Sequence, residues 1–151
     1  MRARRLQLLL ALAIVGLGIA SYLTFVALDR EAEPFCTGIG DCQRVQESDY
    51  ATVGAVPVAA LGLGLYGGLI ALLGLRIMWR RVWGRRAPRA LAVWTFALAL
   101  SGALYSAYLT YLELFVIDAV CAWCVASAVV VALICVLAAP DVRAPEGAAE
   151  G

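Results

Sequence analysis

Four long apolar stretches constrain the fold of this chain more strongly than any other feature of its sequence. They cover roughly residues 6–28, 57–78, 91–115 and 120–139. A helix of about 20 residues crosses the hydrocarbon core of a bilayer, and in lipid only helices and closed barrels satisfy every backbone hydrogen bond. The sequence therefore predicts an all-α integral membrane protein in which a single domain, residues 1–151, forms a four-transmembrane-helix bundle.

The overall composition agrees with this prediction. Hydrophobic residues make up 64% of the chain and charged residues only 15%, and the mean hydropathy is +0.88. The basic start "MRARR" is typical of a signal peptide, but the apolar run after it exceeds the roughly 7–15 residues of a signal-peptide core. We therefore predict an uncleaved first helix. A net charge of +1 gives no indication of a nucleic-acid partner.

The arginines are distributed unevenly among the connecting segments. Ten of them precede the first stretch, surround the turn between the second and third, or follow the fourth: Arg2, Arg4, Arg5, Arg76, Arg80, Arg81, Arg85, Arg86, Arg89 and Arg143. The outer loop, residues 29–56, contains two arginines against six acidic residues. Because cytoplasmic segments are rich in Lys and Arg, we expect both termini to be cytoplasmic and the outer loop to lie outside.

The cysteines form two pairs that this topology places on the same side. Cys36 and Cys42 lie in the outer loop, and Cys121 and Cys124 open the fourth apolar stretch. Both pairs are expected to face the compartment in which disulfides persist. Cys135 lies about three helical turns farther along, where we expect it to serve packing.

The Cys121–Cys124 pair has the spacing of a redox-active dithiol. Two cysteines three residues apart in the first turn of a helix lie on one face, and the helix N-terminus favours the thiolate. A disulfide that closes so short a ring removes little chain entropy, so a purely structural role is disfavoured. For Cys36–Cys42 a redox role and an ordinary exported disulfide remain equally open. A zinc site is disfavoured because the spacing lacks a second Cys-x-x-Cys and the chain has no His.

Thiol–disulfide exchange between the two pairs requires an electron acceptor at its end. The outer loop is long enough to fold back over the link before Cys121. The chain has no His to ligate haem and no nucleotide-binding fingerprint, so we predict an acceptor that dissolves in the bilayer, a lipid quinone. Cys124 lies about one turn deeper than Cys121 and is the natural electron donor to it.

Glu113 is an acidic residue near the outer end of the third stretch. It is either a functional acid within the membrane, because buried charges there are costly, or a carboxylate that reaches the lipid headgroups. We favour the second interpretation. Residues 140–151, ending in "APEGAAEG", are expected to form a short disordered tail.

Two segments carry a resemblance to a known family. They are "FCTGIGDCQRVQESDYATVGAVPVAALGLGLYG", residues 35–67, and "CAWC" at the start of the fourth helix. With its paired loop cysteines, Ser48 and the Gly-x-x-Pro entry to the second helix, the chain resembles bacterial members of the vitamin K epoxide reductase family over roughly residues 6–139. The resemblance implies Cys121 and Cys124 as the catalytic pair, Cys36 and Cys42 as the electron shuttle, and Ser48 near the quinone together with Cys124.

The resemblance also implies a reaction and a location. Bacterial relatives reoxidise a periplasmic or exported thioredoxin-like protein and reduce a quinone such as menaquinone or ubiquinone, without a metal, which supports disulfide-bond formation. Many relatives carry the thioredoxin-like domain fused at the C-terminus, whereas here we expect a separate partner. We expect the protein in the bacterial inner (plasma) membrane, with its cysteine loops on the extracytoplasmic side.

Our prediction is thus a membrane thiol:quinone oxidoreductase. The alternative from another class is a non-enzymatic, disulfide-stapled membrane bundle that serves transport or as a scaffold. The disulfide bond formation protein B family also does this chemistry with four helices. Its Cys-x-x-Cys belongs in the first outer loop, so that family is disfavoured here.

Overall fold

The four apolar stretches form four long helices that pack as a bundle. The computed structural model describes residues 2–29, 41–84 and 87–143. Its helices are α1 (Arg2–Leu28), α2 (Cys42–Gln46), α3 (Val58–Trp83), α4 (Arg89–Leu112) and α5 (Ala122–Arg143). All but the short α2 are long and apolar enough to cross a membrane. The predicted all-α membrane bundle is therefore confirmed.

The long helices are apolar on their outer faces as well as in the core. Leu9, Leu69 and Ile134 are fully buried where α1, α3 and α5 meet. Large side chains such as Leu104 and Val136 are exposed on the outside of the bundle. A helix that is hydrophobic all round is buried in protein or in lipid, so these outer faces fit a hydrocarbon environment.

Small residues decide where the helices approach one another. Tyr66 on α3 is 1% exposed, and a Cβ atom at Gly16 on α1 would overlap its ring. A Cβ atom at Gly102 on α4 would lie 2.6 Å from a methyl group of Leu65. Close contacts of this kind require glycine, as is common between membrane helices. Gly64 and Gly68 of α3 form a GxxxG pair, in which Gly68 makes such a contact whereas Gly64 faces open space.

An ion cluster joins three helices at the end of the bundle opposite α2. The Arg76 guanidinium donates to the Asp141 carboxylate at 2.6 Å, and Arg5 approaches the other carboxylate oxygen at 3.4 Å. Arg76 is 8% exposed, so this residue of the arginine-rich turn also has a structural role. We refer to Arg5, Arg76 and Asp141 as the ion cluster.

The fourth long helix extends beyond its predicted end. Residues 140–143, expected to begin the disordered tail, continue α5 as far as Arg143. Pro140 lacks the N–H that would bond one turn back in the helix, and the ion cluster holds Asp141 in place directly after it. The rest of the predicted tail lies outside the described residues.

The outer loop forms regular structure between α2 and α3. After α2, residues Asp49–Ala51 form a 3-10 turn, and a short antiparallel hairpin pairs β1 (Thr52–Val53) with β2 (Val56–Pro57). Gly54 in its turn has a φ of 64°, which glycine adopts without strain. The hairpin leads directly into α3, so this segment covers one end of the bundle.

Removing the charge of Asp141 should destabilise the bundle. In the Asp141→Asn protein the buried Arg76 loses its charged partner, and breaking a buried ion pair from one side costs about 3 kcal/mol. We expect a lower midpoint in thermal unfolding of the detergent-solubilised protein. Asp118→Asn is the matched control, because Asp118 is exposed and its left-handed backbone also suits Asn. Equal midpoints for the two variants would contradict this role.

Candidate active site

The corner between α4 and α5 positions the Cys-x-x-Cys pair. Residues Glu113–Ile117 form a wide π-type turn, and Asp118 then adopts a left-handed conformation, with φ 53° and ψ 40°. The N–H of Ala119 closes this turn on the Glu113 carbonyl at 3.1 Å. Wide turns of this type are frequent at functional sites. The corner reverses the chain within a few residues and delivers Cys121 to the beginning of α5.

The two sulfur atoms of the pair have different surroundings. Cys121 is completely buried, and its Sγ accepts the Cys124 N–H at 3.3 Å. A side-chain hydrogen bond with Cys124 lowers the pKa of the Cys121 thiol from its ordinary value of 9.0, and it outweighs the opposing effects of burial and of nearby Glu113. Cys121 is therefore the thiol that ionises more readily, as the helix N-terminus predicts.

The loop cysteine Cys42 packs directly on this corner. Cys42 is 1% exposed and forms one buried cluster with Val45, Ala119 and Cys121. A backbone hydrogen bond of 3.1 Å from Asp41 to Val120 holds the start of α2 against the corner. Cys42 is disulfide-bonded, whereas Cys121, Cys124 and Cys135 are free thiols. Cys36, its predicted companion, lies outside the described residues.

The N-cap of α2 fixes the helical turn in which Cys42 lies. The Asp41 carboxylate accepts the Arg44 N–H at 3.1 Å, an N-cap that fixes the first turn of this five-residue helix. On the other side of the corner, the Trp123 ring packs on Tyr22 of α1, with centroids 5.1 Å apart. The corner is thus fixed between the loop and the bundle.

An apolar cavity of about 390 Å³ lies beneath residues 45–51 of the loop. Residues of all four long helices and of segment 45–51 line it, and they include Ser48, Tyr66, Glu113 and Cys124. Cys121 is not among the described residues that line the cavity. Its volume falls within the roughly 300–1,000 Å³ of small-molecule sites. The structure thus places Cys124 on the cavity and Cys121 on the loop side.

Two hydroxyl groups of the cavity wall are held by neighbouring carbonyls. The Ser48 hydroxyl donates to the Val45 carbonyl at 2.7 Å. The Tyr66 hydroxyl lies 2.9 Å from both the carbonyl and the hydroxyl of Ser127, one turn after Cys124. Ser48 was predicted from the sequence, whereas Tyr66 and Ser127 were missed because neither belongs to a recognisable motif.

Glu113 is buried, contrary to the interpretation favoured from the sequence. It is 3% exposed, and its Oε2 accepts the Cys121 N–H at 3.0 Å. Its carboxyl group also interacts with the nearby Cys124 thiol. The side chain turns inward toward the Cys121 N–H, which stands at the start of α5, has no acceptor within the helix and needs one in an apolar environment. Sequence position alone does not indicate which way this side chain points.

Comparison with known protein families gives one match that covers most of the chain. The family model described as "Vitamin K epoxide reductase family" matches residues 7–139. The matched range includes all four long helices almost completely, the loop cysteines, Ser48 and the Cys-x-x-Cys pair.

Removing the Cys124 thiol should raise the pKa of Cys121. A lowered pKa keeps the Cys121 thiolate present below pH 9.0, and this thiolate is lost only as the pH falls through the lowered value. In a Cys36→Ser, Cys42→Ser, Cys135→Ser protein, we expect the ultraviolet absorbance of the thiolate to report this ionisation. Cys124→Ala in the same background should move it to higher pH. An unchanged titration would contradict the assigned hydrogen bond.

Proposed function

Because the chain belongs to the vitamin K epoxide reductase family, we propose that it is a membrane thiol:quinone oxidoreductase that reoxidises a thioredoxin-like dithiol protein. The observation that carries this proposal is the position of the Cys-x-x-Cys pair. Cys121 packs against the disulfide-bonded Cys42, and Cys124 lines the apolar cavity. The pair thus connects a loop disulfide to a space suited to a lipid-soluble acceptor.

The proposed relay transfers two electrons in three steps. The partner dithiol reduces the shuttle pair, Cys36 and Cys42, and becomes a disulfide itself. The shuttle pair then reduces the disulfide form of Cys121 and Cys124 by thiol–disulfide exchange. Finally the Cys121–Cys124 dithiol closes to a disulfide while a quinone in the cavity takes up two electrons and two protons. The sum is one partner disulfide and one quinol.

The packing supports separate roles for the two loop cysteines. Cys42 shares a buried cluster with Cys121, so we assign the internal exchange to these two sulfur atoms. At 1% exposed, the side chain of Cys42 is poorly accessible to a soluble protein. We therefore assign Cys36 as its disulfide partner and as the sulfur that the thioredoxin-like protein attacks.

The cavity has the properties that a quinone headgroup requires. Its wall is mainly apolar, with a few polar groups that can orient a ring carbonyl. Among these, Ser48 is proposed to bind the quinone. Its hydroxyl proton is engaged by the Val45 carbonyl, so donation to a quinone oxygen requires a rotation of the side chain. Menaquinone and ubiquinone both present such carbonyl oxygens.

The distribution of charge supports an orientation in the membrane. The arginine-rich turn and both termini are proposed to be cytoplasmic, and α2 with the α4–α5 corner extracytoplasmic. In this proposed orientation the shuttle pair lies on the outer side of a bacterial inner membrane. Newly exported proteins acquire their disulfides in the oxidising compartment on that side. The thioredoxin-like partner would pass the oxidising equivalents on to them.

The Cys124→Ser protein should not form quinol. Purified wild-type protein mixed with a reduced thioredoxin-like protein and a soluble quinone analogue should produce quinol, followed by its ultraviolet absorbance. Serine at position 124 cannot form the closing disulfide, so we expect loss of turnover to the uncatalysed rate. Cys135→Ser is the matched control, since it makes the same change about three turns farther along α5, and should keep wild-type turnover.

The same assay separates the enzymatic function from a non-enzymatic bundle. A wild-type protein that yields no quinol with an analogue of menaquinone or with one of ubiquinone would contradict the proposal. That result would favour the non-enzymatic, disulfide-stapled bundle. Ser48→Ala tests quinone binding in parallel. It should raise the KM for quinone about tenfold, as expected for loss of one hydrogen bond, and leave the rate of shuttle reduction unchanged.

Single cysteines introduced at the two ends of the bundle should report the orientation. Asp49 and Arg81 are both exposed, at the loop end and the arginine-rich end respectively. In intact bacterial cells, a maleimide that cannot cross membranes should label the Asp49→Cys protein and spare the Arg81→Cys protein. Labelling of each site is read by mass spectrometry of its own peptide. The opposite pattern would reverse the orientation.

A further inference from the structure

A single carboxyl group faces the cavity beside the reactive thiols. Among the described residues that line the cavity, Glu113 is the only acidic one, and none is basic. Burying a carboxylate in an apolar environment is costly, and ionisable groups within membrane segments are mostly tied to function. Its presence at this position therefore requires an explanation.

The contacts of Glu113 connect both members of the dithiol. Its Oε2 accepts the Cys121 N–H at 3.0 Å, and the carboxyl group also interacts with the nearby Cys124 thiol. The same side chain lines the cavity into which the Cys124 thiol also faces. One group thus touches the sulfur that donates electrons and the space that holds the acceptor.

A purely structural role explains only part of this arrangement. The Cys121 N–H needs an acceptor, but the neutral amide of glutamine would supply one at a lower cost of burial. A glutamine cannot, however, take up and release a proton. The contact with the Cys124 thiol is the one that specifically favours a carboxylate.

We propose that Glu113 is a catalytic proton carrier, which takes the proton of the Cys124 thiol as this residue is oxidised and delivers it to a quinone oxygen. This inference rests on the proposed quinone reduction and adds to it the path of one proton. A positioned carboxyl group of this kind acts as general base and then as general acid.

The transfer balances in electrons and protons. The S–H bond of Cys124 breaks, and its proton goes to the Glu113 carboxylate. Cys121 has already lost its proton to water on the loop side. The S–S bond between Cys121 and Cys124 forms, and the two electrons released reduce the quinone. Glu113 gives one proton to a quinone oxygen, water supplies the second, and the product is a quinol.

The other titratable groups around the cavity are less suited to this task. They are the hydroxyl groups of Tyr50 on the loop, Tyr66 on α3 and Tyr105 on α4. The Tyr66 hydroxyl is held by Ser127, and a phenol hydroxyl is itself a hydrogen-bond donor, whereas a carboxylate offers two oxygen atoms that can accept a proton. Within the described lining, Glu113 is the group best suited to carry a proton.

The Glu113→Gln protein distinguishes a role of residue 113 in proton transfer from a structural role. Its amide oxygen can still accept the Cys121 N–H, but its amide group cannot carry a proton. Pre-reduced protein is mixed with a water-soluble quinone analogue, and quinol formation is followed in a single turnover. We expect a rate about 100-fold lower than that of the wild type, in line with the loss of a general acid–base group. Reduction of the oxidised variant by dithiothreitol without quinone should proceed at the wild-type rate.

The outcomes distinguish this proposal from the proposed function. Quinol formation at the wild-type rate in the variant would overturn the proton-carrier role alone. Equal slowing of quinol formation and of reduction by dithiothreitol would also overturn it, because both steps then depend on Glu113 for structure. A wild-type protein that forms no quinol would overturn the proposed function, and the proton-carrier role with it.

A conservative variant extends the test if Glu113→Gln does not fold. Glu113→Asp retains a carboxyl group but moves it by one methylene group. We expect folded protein with slower quinol formation and with a pH profile displaced from that of the wild type, since the carrier group has changed. A slower rate with an unchanged pH profile would overturn the proposal, because only positioning would then have been affected.

Discussion

The hydrogen bond from the Cys121 N–H to the Glu113 carboxylate is the interaction on which the site depends. Where α4 ends and α5 begins, the chain leaves helical geometry beside an apolar cavity, and each freed N–H group needs an acceptor there. Glu113 provides two: its carbonyl accepts from Ala119 and its side chain from Cys121. This pairing allows the sharp corner, and the corner sets the positions of both sulfur atoms.

The corner separates the two ends of the proposed electron path by a single helical turn. Cys121 is enclosed on the loop side with Cys42, whereas Cys124 opens onto the cavity. A dithiol at the first turn of a membrane helix can therefore exchange with a loop disulfide through one sulfur and reduce a lipid-soluble acceptor through the other. Because Cys121 and Cys124 are one helical turn apart, they can close to a disulfide. Opening and closing of this disulfide couples the exchange with the loop to the reduction of the acceptor.

The rest of the bundle supports this end by fixing the helices around the cavity. Tyr66 fits against Gly16 and is anchored to Ser127 next to the Cys-x-x-Cys pair, so the packing of α1 and α3 extends to α5. At the opposite end, Asp141 joins α5 to Arg76 and Arg5. Apolar packing gives little direction between helices in lipid, and polar contacts of this kind specify their register.

The sequence by itself determined the four spans, the all-helical class, and the position of the Cys-x-x-Cys pair at the start of the fourth long helix. Lipid imposes helices of a minimum length, and Cys-x-x-Cys at a helix start has a chemical meaning independent of the fold. It did not determine that Glu113, directly after α4, turns inward, that Cys42 packs on Cys121, or that Tyr66 and Ser127 join Ser48 around one cavity. Those facts depend on how helices far apart in the chain rotate and pack, and only the tertiary structure decides that rotation, because helices apolar on every side carry no pattern that marks their inner face.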